Sequence, residues 1–461
     1  MSNNNFSFTD HTITGTENPY TGSVIHRHLK ISIPTVVKTE GPYLIDANGK
    51  KYFDASGGAA VSCLGHSDAE IIYAVKSQLD EVSYAHTSFF TSSPLEELSN
   101  FLTSRAPDPL NYCYVVSSGS ESVEASLKLA RQHFVEIGQP NKKKFIARKQ
   151  SYHGNTLGAL GVGGNAWRKA QFEPILIPGT LIEPCYEYRF KKEGESVEEY
   201  GIRSANQLED AILQSGEENV AAFIAETVGG ATSGCLTPVT GYFKRLREIC
   251  DKYNVLLILD EVMCGSGRTG SLFAFEQEGI VPDIVTMAKS LGAGYQPIAA
   301  ALVSEKIVSS IKNGSGFFQH GHTYLGHTTA CACALAVQKK IERENLLKNV
   351  QEQGEYLFNS LLENNIPHVG NIRGRGLFVG LELVQDIDEK KPFDPKHKLN
   401  KRIKAKGMEN GLMCYPMGGT VDGKIGDHVM VAPPFNSTKE HIDEVVQKLT
   451  KTITESCEDI S

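Results

Sequence analysis

The chain has 461 residues, of which 40% are hydrophobic and 22% charged, and 46 basic against 54 acidic side chains give a formal net charge of −8. This length is too great for one simple core and predicts two or three packed lobes. The mildly acidic balance gives no electrostatic reason to bind nucleic acid or an anionic membrane surface, so we expect neither as a partner.

The first 23 residues, MSNNNFSFTDHTITGTENPYTGS, lack the basic start and apolar core of a secretory signal. They contain Asp10 and Glu17, and no arginine precedes Arg27, which argues against a mitochondrial presequence. No apolar run approaches the roughly 18 residues that a membrane span needs. Ten cysteines in so long a chain do not form a disulfide framework. We therefore expect a cytoplasmic protein.

The N-terminal part predicts a small sheet over residues 35–54, with a turn at Asn48-Gly49. From about residue 70, helical segments alternate with seven short apolar runs. These runs predict buried strands at 113–116, 144–148, 175–178, 221–226, 256–260, 284–288 and 298–303. Strands that alternate with helices predict an α/β fold with a mostly parallel sheet covered on both faces.

The C-terminal part begins with a long helical stretch over residues 328–362. Strands follow near 377–384 and 428–432, and helices near 397–410 and 438–455. We therefore predict a large α/β domain over residues 70–330. A smaller α+β domain would form from both chain ends, residues 1–69 and 331–461.

The segment after the first of these seven strands, SSGSESVEASLKLARQHF, predicts the start of a strong helix. Ser118 and Glu121 have the spacing of a capping box, which by itself indicates a well-made helix start. The same turn suits a phosphate group, since free N–H groups and the helix dipole favour an anion there. Gly119 would let the backbone approach closely, and Ser120 would add a hydroxyl. These residues leave both interpretations open.

Asp260 ends a nearly all-apolar strand. A buried, unpaired carboxylate costs several kcal/mol, so Asp260 needs a cationic or donor partner, or it caps the next turn. Lys289 follows the next strand, 29 residues later, which is about one strand–helix unit. In a doubly wound sheet both residues would lie at neighbouring strand ends, where ligands bind. They could form an ion pair, or supply an amine for a Schiff base and a carboxylate for a pyridinium nitrogen.

A glycine-rich loop, QHGHTYLGH, precedes the helical stretch at residue 328. His320, His322 and His327 have conceivable metal spacing, but no cysteine or carboxylate cluster completes a site, so we expect no metal. Thr323 and Tyr324 lie in the same loop, before a helix, in a position that suits an anion.

Seven segments extend over nearly the whole chain: SSGSESVEASLKLAR (117–131), SYHGNTLGALG (151–161), AETVGG (225–230), LILDEVMCGSGRTG (257–270), PDIVTMAKSLGAGYQPIAAALV (282–303), HGHTYLGH (320–327) and RGRGLFVGLEL (373–383). Their order and spacing together resemble the class III aminotransferases. The resemblance implies fold type I and the cofactor pyridoxal 5′-phosphate.

The resemblance implies roles around the cofactor ring. Lys289 would form the Schiff base, and Asp260 would bind the pyridine nitrogen. Val262 would pack on one ring face and Tyr152 on the other. His153, next to Tyr152, would belong to the cofactor-binding residues.

The resemblance also implies contacts at the edge of the cofactor. Gly119 and Ser120 would bind the phosphate, and Glu226 would lie near the ring oxygen. Thr323 would contact the phosphate from the neighbouring subunit, which implies a homodimer as the minimal active unit and leaves a tetramer open.

The implied reaction moves an amino group from an amine or ω-amino acid to a keto acid in ping-pong half-reactions, with Lys289 as base and acid. Ala231 stands where the ornithine and 4-aminobutyrate branches carry a second glutamate, which favours pyruvate as acceptor. Gly423 stands where we expect a mobile arginine, and Lys424 is the cation nearby.

Two other functions share parts of this pattern. A racemase or epimerase of the same family would share nearly every motif. A non-catalytic binding relative would not need Lys289, Asp260 and Gly119 together.

Overall fold

The computed structural model describes residues 22–458 and residue 460. The strands are β1 (Val36–Glu40), β2 (Tyr43–Asp46), β3 (Lys51–Asp54), β4 (Tyr112–Val116), β5 (Lys144–Arg148), β6 (Thr180–Ile182), β7 (Val220–Glu226), β8 (Leu256–Asp260), β9 (Ile284–Met287), β10 (Ala299–Val303), β11 (Val369–Arg375), β12 (Phe378–Leu383), β13 (Leu412–Met413), β14 (Tyr415–Gly418) and β15 (Asp427–Val431).

The helices are α1 (Gly57–Ala60), α2 (Ala69–Glu81), α3 (Ser93–Thr103), α4 (Gly119–Glu136), α5 (Leu157–Val162), α6 (Ala166–Lys169), α7 (Glu187–Phe190), α8 (Val197–Ser215), α9 (Tyr242–Lys252), α10 (Glu305–Asn313), α11 (Thr328–Arg343), α12 (Leu346–Glu363), α13 (Leu399–Glu409) and α14 (Lys439–Cys457). Short 3₁₀ helices occur at Glu173–Ile175, Glu217–Asn219, Ala274–Glu278, Lys289–Leu291 and Pro395–His397.

Seven strands form the large sheet in the order β4-β10-β9-β8-β7-β5-β6. Strand β10 runs antiparallel to both neighbours, and the other four pairs are parallel. The strands β7 to β10 are buried along their whole length, because helices cover both faces. The predicted α/β fold with a mostly parallel seven-stranded sheet is therefore confirmed.

Successive side chains of the central strands pack alternately into two hydrophobic clusters. Phe223 and Leu257 join the cluster that contains residues of α8 and α9. Ile224 and Ile258 join the cluster that contains residues of α4 and α10. The alternation follows from the period of two in a strand, and it places the sheet between two helical layers.

The prediction of a strand at residues 175–178 is wrong. Residues Glu173–Ile175 form a 3₁₀ helix instead, and the sheet is completed by β6 at Thr180–Ile182. Pro174 and Pro178 lack the backbone N–H that a strand inside a sheet must donate. The side chains of Ile175 and Ile177 are 62% and 88% exposed, so the apolar run does not contribute to this core.

Both chain ends contribute to the remaining two sheets. Strand β3 pairs in parallel with β13 in the sheet β1-β2-β3-β13, and β11-β12-β15-β14 form an antiparallel sheet. Phe53, Leu381 and Val445 share one hydrophobic cluster across these elements. The domain boundaries at residues 70 and 330 stay a prediction, and residues 1–21 of the predicted small domain lie outside the described residues.

The helical stretch over 328–362 divides into α11 and α12. Asn345 adopts a left-handed conformation with φ of 53° between them, which asparagine tolerates better than most residues. Within residues 22–458, none of the helices combines the length and apolar character that a membrane crossing requires.

Candidate active site

Three strand ends meet at one edge of the large sheet. Parallel pairing places Glu226 of β7 opposite Asp260 of β8, and Asp260 opposite Thr286 of β9. Lys289 begins the 3₁₀ helix just beyond β9. The predicted neighbours Asp260 and Lys289 therefore lie at the carboxyl edge of the sheet, where open α/β sheets bind ligands.

The Asp260 carboxylate is buried, with 4% exposure, and accepts three hydrogen bonds. His153 Nδ1 lies 2.7 Å from Oδ2, while Val262 N and Thr286 Oγ1 donate to Oδ1 at 3.0 and 3.3 Å. The bond from Val262 N is the turn cap that the sequence left open. A carboxylate offers about four acceptor positions, so Oδ2 retains one for a ligand donor.

Lys289 is partly buried, and no hydrogen bond or ion pair engages its amine in the described part of the chain. Burial lowers the pKa of Lys289 to about 8, although the carboxylates of Asp260 and Glu226 oppose this shift. The backbone of Lys289 is left-handed, with φ of 49°, which costs roughly 1–3 kcal/mol for such a residue. These features are typical of a positioned amine and not of a solvated strand end.

Glu226 is the second residue with a carboxyl group at this edge, after Asp260. Gly230 N donates to Glu226 Oε1 at 2.8 Å, and Arg148 Nη2 donates to the Glu226 carbonyl oxygen. Burial raises the pKa of Glu226, and the charge of Asp260 acts in the same direction while that of His153 opposes it. Glu226 can therefore share a proton with a ligand oxygen.

The start of α4 carries a helix cap close to the predicted one. The Ser118 hydroxyl accepts from Glu121 N at 3.3 Å, and the Glu121 carboxylate accepts from Ser117 N at 2.8 Å. The return bond thus reaches the residue before the cap instead of the cap itself. The N–H groups of the first turn, which includes Gly119 and Ser120, have no partner within the helix and suit an anion.

Gly119 lies against Val262, and a Cβ atom there would sit 2.9 Å from Val262 Cγ1. Only glycine permits this close approach, which links the first turn of α4 to the segment after Asp260. The Ser120 hydroxyl donates to Asn155 Oδ1 at 2.9 Å and accepts from Asn155 N at 3.1 Å. Asn155 therefore fixes Ser120 at the helix start.

Tyr152 is half-buried, and the guanidinium carbon of Arg168 lies 4.5 Å from the centroid of its ring. Thr323, in contrast, is exposed, and its carbonyl oxygen accepts a 2.8 Å hydrogen bond from Tyr84. Within residues 22–458, no hydrogen bond or ring contact joins Thr323 to the other predicted site residues. The same residues hold no group of three or more His, Cys, Asp or Glu side chains suited to a metal.

Sequence reasoning missed Thr286, Asn155 and Arg168. Thr286 is the lone polar residue of the apolar strand β9, and this could have marked it. Asn155 adjoins the Tyr152-His153-Gly154 segment, but its bond to Ser120 spans 35 residues and has no sequence signal. The contact of Arg168 with Tyr152 likewise depends on the folded loop after β5.

Comparison with known proteins decides the family, because a model described as aminotransferase class-III matches residues 25–453. The chain belongs to the class III aminotransferases. An uncharacterized aminotransferase of Schizosaccharomyces pombe is 49% identical over 424 residues, which cover 91% of this chain and 92% of the relative. Gamma aminobutyrate transaminase 2 of Solanum lycopersicum is 38% identical over 432 residues, or 91% of each chain.

The omega transaminase from Pseudomonas jessenii in complex with PMP superposes with a TM-score of 0.88 at 32% identity. The match covers 97% of this aminotransferase and 98% of the other chain. The chain is therefore a transaminase with the cofactor pyridoxal 5′-phosphate, and its substrates are an amino donor and a keto acid. The matched proteins bear aminotransferase names, so a racemase is not favoured.

The residues at the sheet edge fit this cofactor. Asp260 keeps an acceptor position open for a ring N–H, and Lys289 keeps an unpaired amine for the carbonyl carbon. The α4 turn offers free N–H groups to the phosphate, and the missing Cβ of Gly119 lets Val262 approach.

Proposed function

We propose that this aminotransferase moves an amino group from an amine or ω-amino acid to pyruvate in two ping-pong half-reactions. The unpaired amine of Lys289 beside the buried Asp260 supports the proposal most directly. The omega-transaminase name of the Pseudomonas jessenii structure supports the donor class.

We assign the cofactor contacts as follows. Asp260 binds the ring nitrogen, Val262 and Tyr152 cover the two ring faces, and Glu226 lies near the ring oxygen. Gly119 and Ser120 bind the phosphate. His153 does not touch the ring in this assignment but holds Asp260 in place through its 2.7 Å contact.

Bound pyridoxal phosphate supplies an electrophilic carbon for the substrate amine and a ring that accepts electrons. Asp260 keeps a proton on the ring nitrogen, and His153 and Thr286 hold its carboxylate in the required orientation. Lys289 takes the proton from the substrate carbon that bears the amine and later returns a proton, as general base and acid. Its pKa of about 8 suits both roles near neutral pH.

Pyruvate as the acceptor rests on Ala231. The methyl side chain of Ala231 is buried and carries no carboxylate, and the Ala231 carbonyl oxygen accepts a 3.0 Å hydrogen bond from His428 Nε2. Burial lowers the pKa of His428 to about 4, so this histidine stays neutral and anchors the segment. Position 231 thus carries alanine in place of the second glutamate. This favours pyruvate, the smaller keto acid, as the acceptor.

A panel of amines and ω-amino acids, each offered with pyruvate or 2-oxoglutarate, tests this function. We expect alanine from pyruvate at a higher rate than glutamate from 2-oxoglutarate. Faster glutamate formation would contradict the assignment of pyruvate. If no donor yields either amino acid with cofactor-loaded protein, the proposed reaction is wrong.

We further propose a homodimer whose active sites lie at the subunit interface. Phe89 and Phe90 are 79% and 70% exposed, and Tyr324 is 59% exposed. Tyr84 contacts Tyr324 at 6.0 Å between ring centroids and donates to the Thr323 carbonyl oxygen, so both segments form one patch. Contiguous exposed apolar surface of this kind is typical of protein interfaces. A second copy of the chain would cover it and receive Thr323 at its phosphate site.

We also propose that the enzyme acts in the cytoplasm. All ten cysteines are free thiols in the structure, which is compatible with a reducing compartment. Fractionation of cells that produce the untagged chain tests this, since activity in the cytosolic fraction is expected and activity confined to an organelle would contradict it.

A further inference from the structure

Among the described residues, the guanidinium group of Arg168 has no hydrogen-bond or ion-pair partner. In the described part of the chain, no hydrogen bond or ion pair engages its side chain, and Nε is buried without a hydrogen-bond acceptor. The Arg168 side chain is half-buried, and its guanidinium stays charged and offers five N–H donors. An anionic ligand could therefore pair with the Arg168 guanidinium.

Arg168 lies beside the residues assigned to the cofactor. Its guanidinium carbon is 4.5 Å from the centroid of the Tyr152 ring, and the next residue, His153, contacts Asp260 at 2.7 Å. Burial is the main cause of the lowered pKa of Lys289, and the charge of Arg168 acts in the same direction. Arg168 is therefore within electrostatic reach of the reacting amine.

Hydrogen bonds fix helix α6, which carries Arg168, to the loop between β14 and β15. Asn165 caps the helix by accepting from Arg168 N at 3.1 Å, and its amide donates to Gln150 Oε1 at 3.2 Å. The amide of Gln150 donates in turn to the carbonyl oxygens of Gly419 and Thr420. Gln150 and Asn165 thus connect helix α6 to this loop.

The same loop contains Gly423, where the sequence lacks the expected arginine. A Cβ atom on Gly423 would lie 3.3 Å from Gln150 Oε1 and 3.8 Å from the Cβ of Ala166, so a side chain there would extend toward α6. Arg168 is a cation on the same short helix, two residues after Ala166. Lys424, the neighbouring cation, is exposed.

We propose that Arg168 binds the carboxylate of the keto-acid acceptor, and of amino donors that have one. The inference rests on the proposed function and names the group that recognises its substrates. The planar guanidinium would donate two N–H groups to the two carboxylate oxygens, while the Tyr152 ring holds its plane. Amines without a carboxylate would not use Arg168.

Calorimetric titration of the holoenzyme with butyrate, a carboxylate that cannot react, tests binding alone. We expect Arg168→Met to weaken butyrate binding by about 10- to 100-fold, the range for loss of a charge-assisted hydrogen bond. Arg168→Lys should retain part of the affinity because it keeps the charge. The matched control Lys424→Met removes an exposed cation near the same loop and should bind butyrate like the wild type.

Two titration results would overturn the proposal. One is a wild type that does not bind butyrate, and the other is an Arg168→Met variant that binds it with unchanged affinity. Absorbance of the bound cofactor is recorded for each variant. If Arg168→Met loses the cofactor, Arg168 supports cofactor binding and the carboxylate assignment is wrong. Arg168→Lys then shows whether a positive charge alone restores cofactor binding and butyrate binding.

Acceptor kinetics supply a second arm. Arg168→Met should raise the KM for pyruvate by about 10- to 100-fold and change the KM for propanal, which lacks the carboxylate, by less than about twofold. An equal change for both acceptors would contradict a carboxylate contact. If the wild type makes no alanine from any donor, the proposed function fails, whereas the butyrate titration still decides the role of Arg168.

Discussion

The Lys289 amine extends from a residue with a left-handed backbone. The carboxylates of Asp260 and Glu226 raise its pKa, but burial has the larger effect and lowers the pKa to about 8. Burial prevails because no ion pair with another described residue fixes the charged form of Lys289. The amine is therefore about half neutral near pH 8, and the neutral form is the one that attacks a carbonyl carbon.

The rate at which the apoenzyme reacts with pyridoxal phosphate should follow this pKa. We expect the rate to rise as pH increases through about 8 and to level off above it, because deprotonation produces the reactive amine. Stopped-flow absorbance measures the rate, and the same reaction with butylamine corrects for titration of the cofactor. A midpoint near the ordinary lysine value of 10.5 would contradict the assignment.

At the scale of elements, hydrophobic patterning predicted six of the seven strands of the large sheet at their observed places. The exception, 175–178, is bounded by prolines whose effect outweighs the apolar character of Ile175 and Ile177. The break at Asn345 also escaped prediction, because a single left-handed residue leaves little trace in a helical pattern.

Hydrophobic patterning also predicted part of the candidate active site. Asp260 and Lys289 follow adjacent parallel strands, so their proximity was predictable from one strand–helix spacing. The contacts of His153 with Asp260 and of Arg168 with Tyr152 were not, because they join loops whose paths depend on tertiary packing. The roles of these residues toward the cofactor stay proposals.

Helix α4 depends on a glycine at its first position, and this gives a prediction at the element scale. Gly119→Ala would place a Cβ atom 2.9 Å from Val262 Cγ1 and push the first turn of α4, the proposed phosphate site, away from the segment after Asp260. We expect about tenfold weaker cofactor binding, measured by titrating the apoenzyme.

Two further variants control this experiment. Gly418→Ala, where a Cβ atom would make an ordinary 3.4 Å contact with the Asn400 side chain, should bind the cofactor like the wild type. Adding Val262→Ala to Gly119→Ala should restore part of the affinity, since it removes the methyl groups that clash. Additive losses in the double variant would show that the Gly119–Val262 contact is not the cause.

At the scale of the whole molecule, the exposed aromatic patch around Thr323 supports an active dimer. Lys289→Ala and Thr323→Asp protomers should each form inactive homodimers, the second because a carboxylate repels the phosphate. A hybrid dimer would contain one intact site, made from Lys289 of one protomer and Thr323 of its partner. Random mixing gives hybrids in half of the dimers, so roughly a quarter of wild-type activity should return.

Activity after unfolding and refolding the two variants together measures this recovery. The variants refolded separately are the control. If Thr323 acted in its own subunit, or if the enzyme were a monomer, the mixture would stay as inactive as its parts.

Amino-group transfer by this enzyme is proposed to go through Lys289. Its most direct test is a half-reaction of the purified, cofactor-loaded enzyme with an amine donor and no acceptor, followed by absorbance. We predict one equivalent of carbonyl product per site and conversion of the cofactor absorbance, then its return with one equivalent of alanine when pyruvate is added. Lys289→Ala should do neither at a measurable rate. Unchanged stoichiometric conversion in Lys289→Ala, or its absence in the wild type, would contradict the account.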